Sequence, residues 1–352
     1  MKIRVVDFFC GCGGTSAGLQ AAGMKILAGI DFDVDAGDTF KLNFPQAEFI
    51  NKDITELYSP GISHLIPKKR KFPLLFSACA PCQPFTKQNT SKKDSDERQN
   101  LLNNLHRFIR AYKPEYIFLE NVPGLQKVSE EDGPFASFIR FLDRHDYYYE
   151  LRVIKSQDYG VPQYRKRLVL IASCLKDIHF PSATHGPDAK YDYVTVWESI
   201  SDLPRIRAGK EHSEVKNHRA AKLSDKNLER LKATPVGGSR ADWPKRLQLE
   251  CHKEYSGHTD VYGRMLKDKP ASALTTRCIS LSNGRYGHPT QSRAISVREA
   301  ARLQTFSDDF EFLGSLNSMA RQIGNAVPIL LALEFGNHFN KHFRVFSNRI
   351  NS

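Results

Sequence analysis

No apolar run in this chain approaches the roughly 18–20 residues that a membrane-crossing helix needs. The opening Met1-Lys2-Ile3-Arg4 leads straight into a strand-like run, so no cleavable signal peptide is expected. Seven cysteines are an odd number without framework spacing, which argues against a disulfide-stapled fold. Cys79 and Cys82 stand at Cys-x-x-Cys spacing, but no second such pair and no paired histidines complete a ligand set. No metal is therefore expected. A phosphate-cradling P-loop would need Gly-Lys-Ser/Thr, which is absent. No internal repeat and no low-complexity tract is visible.

What is present is enough for a large domain plus a smaller one: 352 residues, 40% hydrophobic and 26% charged. The formal net charge is +12, with a sequence pI near 9.3. Such an excess suits a polyanionic partner. Short apolar runs at 3–9, 24–30, 74–78, 116–120 and 168–172 read as buried strands. They alternate with helical patterns at 15–22, closed by Gly23, at 34–43 and at 100–112. Strands alternating with helices imply an α/β fold with a mostly parallel, doubly wound sheet. From about 185 to 295 the chain becomes loop-rich and basic, which reads as a second, smaller and irregular domain. Regularity returns at Ser296, where Ser296 and Glu299 have the spacing of a capping box, and 327–339 reads as an amphipathic helix.

Asp7-Phe8-Phe9-Cys10-Gly11-Cys12-Gly13-Gly14 follows the first strand and opens the first helix. Glycines there let the backbone turn sharply and approach a ligand closely. Asp31 ends the second strand, where an acid can bind ribose hydroxyls. Asp53-Ile54 follows the next strand, placed to meet an adenine amino group. The turn suits a nucleoside without a phosphate tail.

Cys82 lies just past the strand 74–78, where open α/β sheets put their chemistry, and a deprotonated thiol is a nucleophile. Glu120 ends the strand 116–120, and a carboxyl in a partly desolvated pocket can stay protonated enough to donate a hydrogen bond. Gln163, Arg165 and Arg167 alternate, so they share one face of extended chain. The polar stretch 86–98 carries Lys87, Lys92, Lys93 and Arg98 and is long enough for a mobile lid that meets phosphates.

This ordered set resembles the C5-cytosine DNA methyltransferases over nearly the whole chain. The family's first motif, Asp-x-Phe-x-Gly-x-Gly-Gly, is matched at Asp7, Phe9, Gly11, Gly13 and Gly14. Pro81-Cys82-Gln83-Pro84-Phe85, Glu120-Asn121-Val122, Gln163-Tyr164-Arg165-Lys166-Arg167 and Arg321-Gln322-Ile323-Gly324-Asn325-Ala326-Val327 match later motifs. The resemblance implies a Rossmann-like fold and S-adenosylmethionine as cofactor, leaving as S-adenosylhomocysteine. It assigns the cofactor to Phe9, Gly11, Cys12, Gly13, Gly14, Asp31, Phe32, Asp53, Ile54 and Leu101, with Asn325 and Ala326 closing the methionine end. Phe9 would stack on adenine and Phe32 would flank it. At position 31 the family often has Glu, so Asp31 is a mild departure.

For catalysis the resemblance implies that the Cys82 thiolate adds to C6 of a cytosine flipped out of duplex DNA. Glu120 would then serve N3 and the exocyclic amine, and Arg165 the cytosine O2, with Arg167 bracing the site or a phosphate. The proton acceptor at C5 is not named; water or hydroxide is the expectation. Gln83, Pro84, Thr86, Arg98, Asn121 and Gln163 fall on the substrate side, as do Arg277, Asn283, Arg285 and Arg293 of the basic run. Residues 1–184 would be the catalytic domain, 185–295 a target-recognition domain, 296–318 a hinge and 319–352 a return to the catalytic domain.

A monomer acting on double-stranded DNA in a reducing cytoplasm is expected, with a separately acting restriction endonuclease as an optional companion. Two other readings stand beside it. One is a tRNA cytosine-C5 methyltransferase, which shares the Pro-Cys-Gln core. The other is an inactive DNA-binding regulator, against which the joint presence of Cys82, Glu120 and Arg165 argues.

Overall fold

A computed structural model describes residues 1–80, 97–123, 134–250 and 259–350 of the chain. The chain divides into two compact units. Met1–Lys155, Lys166–Ser182 and Val327–Ser352 form the first; Ser156–Arg165 and Ala183–Ala326 form the second.

The first unit is built on seven strands: β1 (Arg4–Phe8), β2 (Lys25–Asp31), β3 (Glu48–Asn51), β4 (Leu74–Ala78), β5 (Tyr116–Asn121), β6 (Tyr148–Lys155) and β8 (Lys166–Ser173). Their order is β3-β2-β1-β4-β5-β8-β6. The first five are parallel, and β8 runs antiparallel to both β5 and β6. β4 and β5 are buried at every position, as expected of apolar strands covered on both faces. The chain winds outward from β1 to β3 and then restarts at β4 on the other side. The strand order therefore reverses between β1 and β4, and a crevice opens beyond their carboxyl ends.

Helices cover both faces. Phe8 packs on Phe76 and on Phe108 of α3 (Leu105–Tyr112), and Phe138 and Phe141 of α4 (Pro134–Asp143) join the same core. On another side of the strands, α1 (Gly14–Ala21) meets α9 (Ile329–Ile350) so closely that a Cβ on Gly18 would lie 2.4 Å from the Ile329 carbonyl oxygen. Phe118 of β5 packs on Phe335 of α9 at 5.3 Å. The helix α2 (Val34–Asn43) completes the set.

Two helical expectations change. α9 does not stop at 339 but runs to Ile350, held along its polar half by Asn340 Nδ2 to the Ala22 carbonyl and by Tyr116 to His342. The expected helix 100–112 is a 3₁₀ segment, Glu97–Asn104, followed by α3. Asn103-Asn104 is a poor helix interior, because asparagine side chains compete for backbone bonds.

The second unit has little regular structure: β7 (Gln163–Tyr164) pairs with β9 (Ala271–Ser272) in parallel, and α5 (Val196–Ile200), α6 (Asp225–Ala233), α7 (Val297–Leu303) and α8 (Leu316–Asn325) are short. One small apolar cluster gathers Leu231, Leu281 and Ala294. Around it lie buried arginines. Arg264 donates to the carbonyls of Leu231, Thr234, His288 and Gln291, and Arg298 to those of Lys216, Ser307 and Phe310.

The expected boundaries shift accordingly. Residues 156–165 and 319–326 belong to the second unit, because Gln163 bonds to the Leu303 carbonyl, and Arg165 to the carbonyls of Leu274 and Gly324.

The Ser296–Glu299 capping box is present, and Glu299 does more than cap. Its carboxylate takes both guanidinium arms of Arg293, at 2.6 and 2.7 Å, and faces His288 Nε2 at 3.4 Å. Burial pushes the Glu299 carboxyl up, but the hydrogen bonds from Arg293 and His288 outweigh it and hold it well below the usual carboxylate range. Arg293, expected on a DNA-facing surface, is wholly buried, and its other donors go to Ile206 O, Ala294 O and Gln291. Removing one member of such a pair strands a buried charge. Arg293→Ala should therefore cost about 3–5 kcal/mol in urea unfolding. An unchanged urea midpoint would return Arg293 to the reading surface.

Candidate active site

The turn after β1 bends through three left-handed residues: Phe9 (φ 56°), Gly11 (φ 52°) and Gly13 (φ 97°). Glycine is forced at 13, where a Cβ would lie 2.4 Å from the Phe44 ring. A bulky aromatic at positive φ is a real outlier, and here it turns Phe9 toward a pocket. The wall of that pocket is Phe9, Ile30, Asp31, Phe32, Lys52, Asp53, Ile54 and Leu101.

Asp31 anchors the turn. One carboxylate oxygen accepts from the Gly11 amide at 2.8 Å, and the other from the Asp33 amide at 2.9 Å. Burial raises its carboxyl, and those amides pull it back down. Asp53 Oδ1 accepts from the Thr55 amide and hydroxyl, which fixes that acid at the rim. Phe32 leaves 63% of its surface open, an aromatic side chain at the edge of the pocket.

Six of the residues expected to hold the cofactor thus line one pocket. Gly11, Cys12, Gly13 and Gly14 build its turn instead. Burial pushes the Cys12 thiol up to about 12, so it is neutral. Lys52 and Ile30 went unread in the sequence, although Lys52 adjoins Asp53.

A second cavity of the first unit lies at the ends of β4 and β5. Its lining includes Ala78, Ala80, Leu102, Leu119, Glu120 and Asn121. Leu101 and Leu102 are consecutive in the 3₁₀ segment, so one short element contributes to both cavities. Glu120 is only 4% exposed. Its Oε1 lies 2.7 Å from Arg167 Nε on β8, and its Oε2 accepts from the Cys79 thiol at 3.0 Å. Antiparallel pairing of Glu120 with Val169 brings Arg167 to the end of β5. Asn121 Nδ2 donates to the Ala80 carbonyl at 3.1 Å, tying the end of β5 to the chain leaving β4.

Cys82, Gln83, Pro84 and Thr86 lie outside the described residues, and Arg98 is described in its backbone alone, within Glu97–Asn104.

In the second unit Arg165 is buried, and its guanidinium is engaged by Gln163 Oε1, Leu274 O and Gly324 O. Gln163 is buried with its amide spent on Leu303 O, Gln304 and the Leu274 amide. Arg285 is committed to the carbonyls of Gly237 and Gly238 and to Asp260. Asn283 closes a 3₁₀ turn and accepts from Ser282. Asn325 is exposed at the last turn of α8, and the Ala326 carbonyl accepts from Gln304. Arg277 is exposed, with no side-chain partner among the described residues.

The model of the family described as C-5 cytosine-specific DNA methylase matches residues 3–341. The chain belongs to that family. The type II methylase M.HgiDII of Herpetosiphon aurantiacus is 40% identical over 93% of this chain and 92% of its own length. The type II methyltransferase M1.HphI of Haemophilus parahaemolyticus is 32% identical over 94% and 85%. Among solved structures, a prophage-encoded Escherichia coli protein described as a DNA modification methyltransferase superposes with a TM-score of 0.75, at 22% identity over 97% of this chain and 99% of that one. The last likeness bears on fold: a Rossmann-like α/β methyltransferase.

One acid under the methylase's glycine turn has a measurable consequence. Asp7 is fully buried on β1; burial raises its carboxyl from 3.8 to about 6, against the pull of the Ser16 and Ser77 hydroxyls. A raised acid stabilises the fold most below its unfolded value and loses that contribution as pH climbs through the folded one. At about 1.4 kcal/mol per pH unit the loss is on the order of 3 kcal/mol. Asp7→Asn escapes it. The melting temperature of Asp7→Asn relative to wild type should rise between pH 4 and 7 and then level off; a pH-independent difference would contradict the raised carboxyl.

Proposed function

We propose that this methylase transfers a methyl group from S-adenosylmethionine to C5 of a cytosine turned out of duplex DNA, with Cys82 as nucleophile and Glu120 and Arg167 gripping the ring. The observation that carries this reading is the Arg167–Glu120 pair at the carboxyl end of β5, beside the strand that leads to Cys82.

The first pocket fits the adenosine half of such a cofactor. Phe32 and Phe9 offer aromatic surface, and Asp31 and Asp53 keep unused lone pairs for ribose hydroxyls and the adenine amine. When bound, the cofactor supplies an electrophilic methyl group.

The remaining chemistry falls to side chains. Cytosine C5 is a weak nucleophile until a thiolate adds to C6, which makes it enamine-like. The Cys82 thiolate donates the electron pair, and ring density moves toward N3 and O2. Glu120 accepts from the exocyclic amine and, carrying a proton, donates it toward N3 as charge builds there, a pattern that thymine lacks. Arg167 supplies a cation beside O2, where negative charge develops. After the C5 proton leaves to a base, the C6–S bond breaks and frees the thiolate.

Arg167 takes the role expected of Arg165, because it is the arginine whose guanidinium touches Glu120. Arg165 instead ties backbone carbonyls together. Arg277, exposed and unspent, is the arginine of the basic run suited to a DNA phosphate or a guanine edge.

Methylation of duplex DNA with a labelled donor, mapped by bisulfite sequencing, tests the reading. Arg167→Ala should lower kcat roughly 100- to 1000-fold with cofactor binding retained. Arg165→Ala should act through a lowered melting temperature. Wild-type kcat in Arg167→Ala would overturn the assignment.

A salt series gives an independent check. Arg277→Ala should reduce the log–log salt slope of DNA binding by about 0.9 if it holds one phosphate. If it instead reads a base, the slope stays and sequence preference relaxes. A variant with neither change would remove Arg277 from the interface.

A further inference from the structure

We propose that Cys79 is a positioning residue for Glu120: its protonated thiol holds the carboxylate from one side while Arg167 holds it from the other. This rests on the reading of Glu120 as the group that grips cytosine.

The geometry is specific. Glu120 Oε1 meets Arg167 Nε at 2.7 Å, and Glu120 Oε2 meets Cys79 Sγ at 3.0 Å. Oε1 is held by the ion pair with Arg167 and Oε2 by a directional hydrogen bond from Cys79, so it is the thiol that sets the plane of the carboxyl group. The Oε2 lone pair that faces Sγ can only accept, so the thiol is the donor. Burial and the charge of Glu120 both push the Cys79 thiol well above its ordinary value, which keeps that proton on sulfur. The same neutrality makes Cys79 a poor nucleophile, so it does not compete for the chemistry given to Cys82.

The thiol also has a fixed origin. The Cys79 amide donates to the Phe8 carbonyl at 3.4 Å, and the next carbonyl, of Ala80, accepts from Asn121 Nδ2 at 3.1 Å. The chain leaving β4 is thus stitched to β1 on one side and β5 on the other. Cys79 reaches Glu120 from a backbone that cannot drift. Arg167 alone would leave Oε2 free to swing. With the thiol in place, the lone pairs not taken by Arg167 and Cys79 have a set direction in a cavity lined chiefly by aliphatic side chains. A misplacement of about 1 Å at such a group is worth on the order of 100-fold in rate.

The test is a pair of substitutions in the full chain. Cys79→Ala should lower kcat roughly 10- to 100-fold while the Kd values for S-adenosylmethionine and duplex DNA hold. Cys79→Ser keeps a donor and should recover most of the lost kcat. A merely structural cysteine would show loss in both variants, or melting without a kcat-specific effect. Infrared spectroscopy gives a readout apart from activity and from the folding of Cys79→Ala. The difference between wild type and Cys79→Ser isolates the Cys79 S–H stretch, which should move to higher frequency in a Glu120→Gln background. Wild-type kcat in Cys79→Ala, equal defects in the two variants, or an unmoved S–H band each overturn the proposal. A wild-type enzyme that fails to methylate duplex DNA overturns the functional reading instead, and the band still decides the contact.

Discussion

The second unit depends on arginine guanidinium groups that donate to backbone carbonyls. A loop-rich chain has no ladder to satisfy its peptide groups, and a buried carbonyl left unpaired costs about 1–3 kcal/mol. A guanidinium carries five N–H donors in a rigid fork, so one side chain can serve several carbonyls at once. Arg264 gathers four, from Leu231, Thr234, His288 and Gln291, and Arg298 gathers three. These side chains do the work that hydrogen-bonded strands do in the first unit. Arg293 adds charge neutralisation, since Glu299 receives both of its arms while capping α7.

That dependence explains where the sequence was legible. Strand ends were read well: Asp31, Asp53 and Glu120 close short apolar runs, and a parallel sheet gathers its carboxyl ends along one edge. The glycine turn and the Ser296 cap announced themselves through residue types with few other uses. Arginines did not. Buried Arg293 and exposed Arg277 look alike on paper, because the pattern that buries one is a set of carbonyls scattered from 206 to 294. The same holds for Arg165 and Arg167, whose surroundings differ although their spacing does not. They alternate in extended chain, but the boundary between the units falls between Arg165 and Lys166: Arg165 bonds to carbonyls of the second unit, and Arg167 pairs with Glu120 in the first. The Cys79 thiol was equally mute, since Cys-x-x-Cys spacing suggests metals before it suggests a hydrogen bond.

The first unit carries a different economy. Two cavities among its described residues are served by neighbouring residues of one 3₁₀ segment, Leu101 lining one and Leu102 the other. That segment continues into α3, whose Arg107 bonds to the Ile54 carbonyl and whose Tyr112 bonds to the Ser59 carbonyl. The wall behind Asp53-Ile54 is thereby fastened to the 3₁₀ segment's continuation, α3. A substitution along α3 therefore bears on the pocket wall as well as on the sheet, where Phe108 meets Phe8.

The chain crosses between the units four times, at 155/156, 165/166, 182/183 and 326/327. Exchange of the second unit between relatives is therefore not a cut-and-paste of one segment. A chimaera that swaps only 185–295 would bring in a foreign loop at Leu274 yet retain Arg165 and Gly324, which were fitted to the old one. The transferable module is discontinuous: a ten-residue outpost and a long segment that have to travel together.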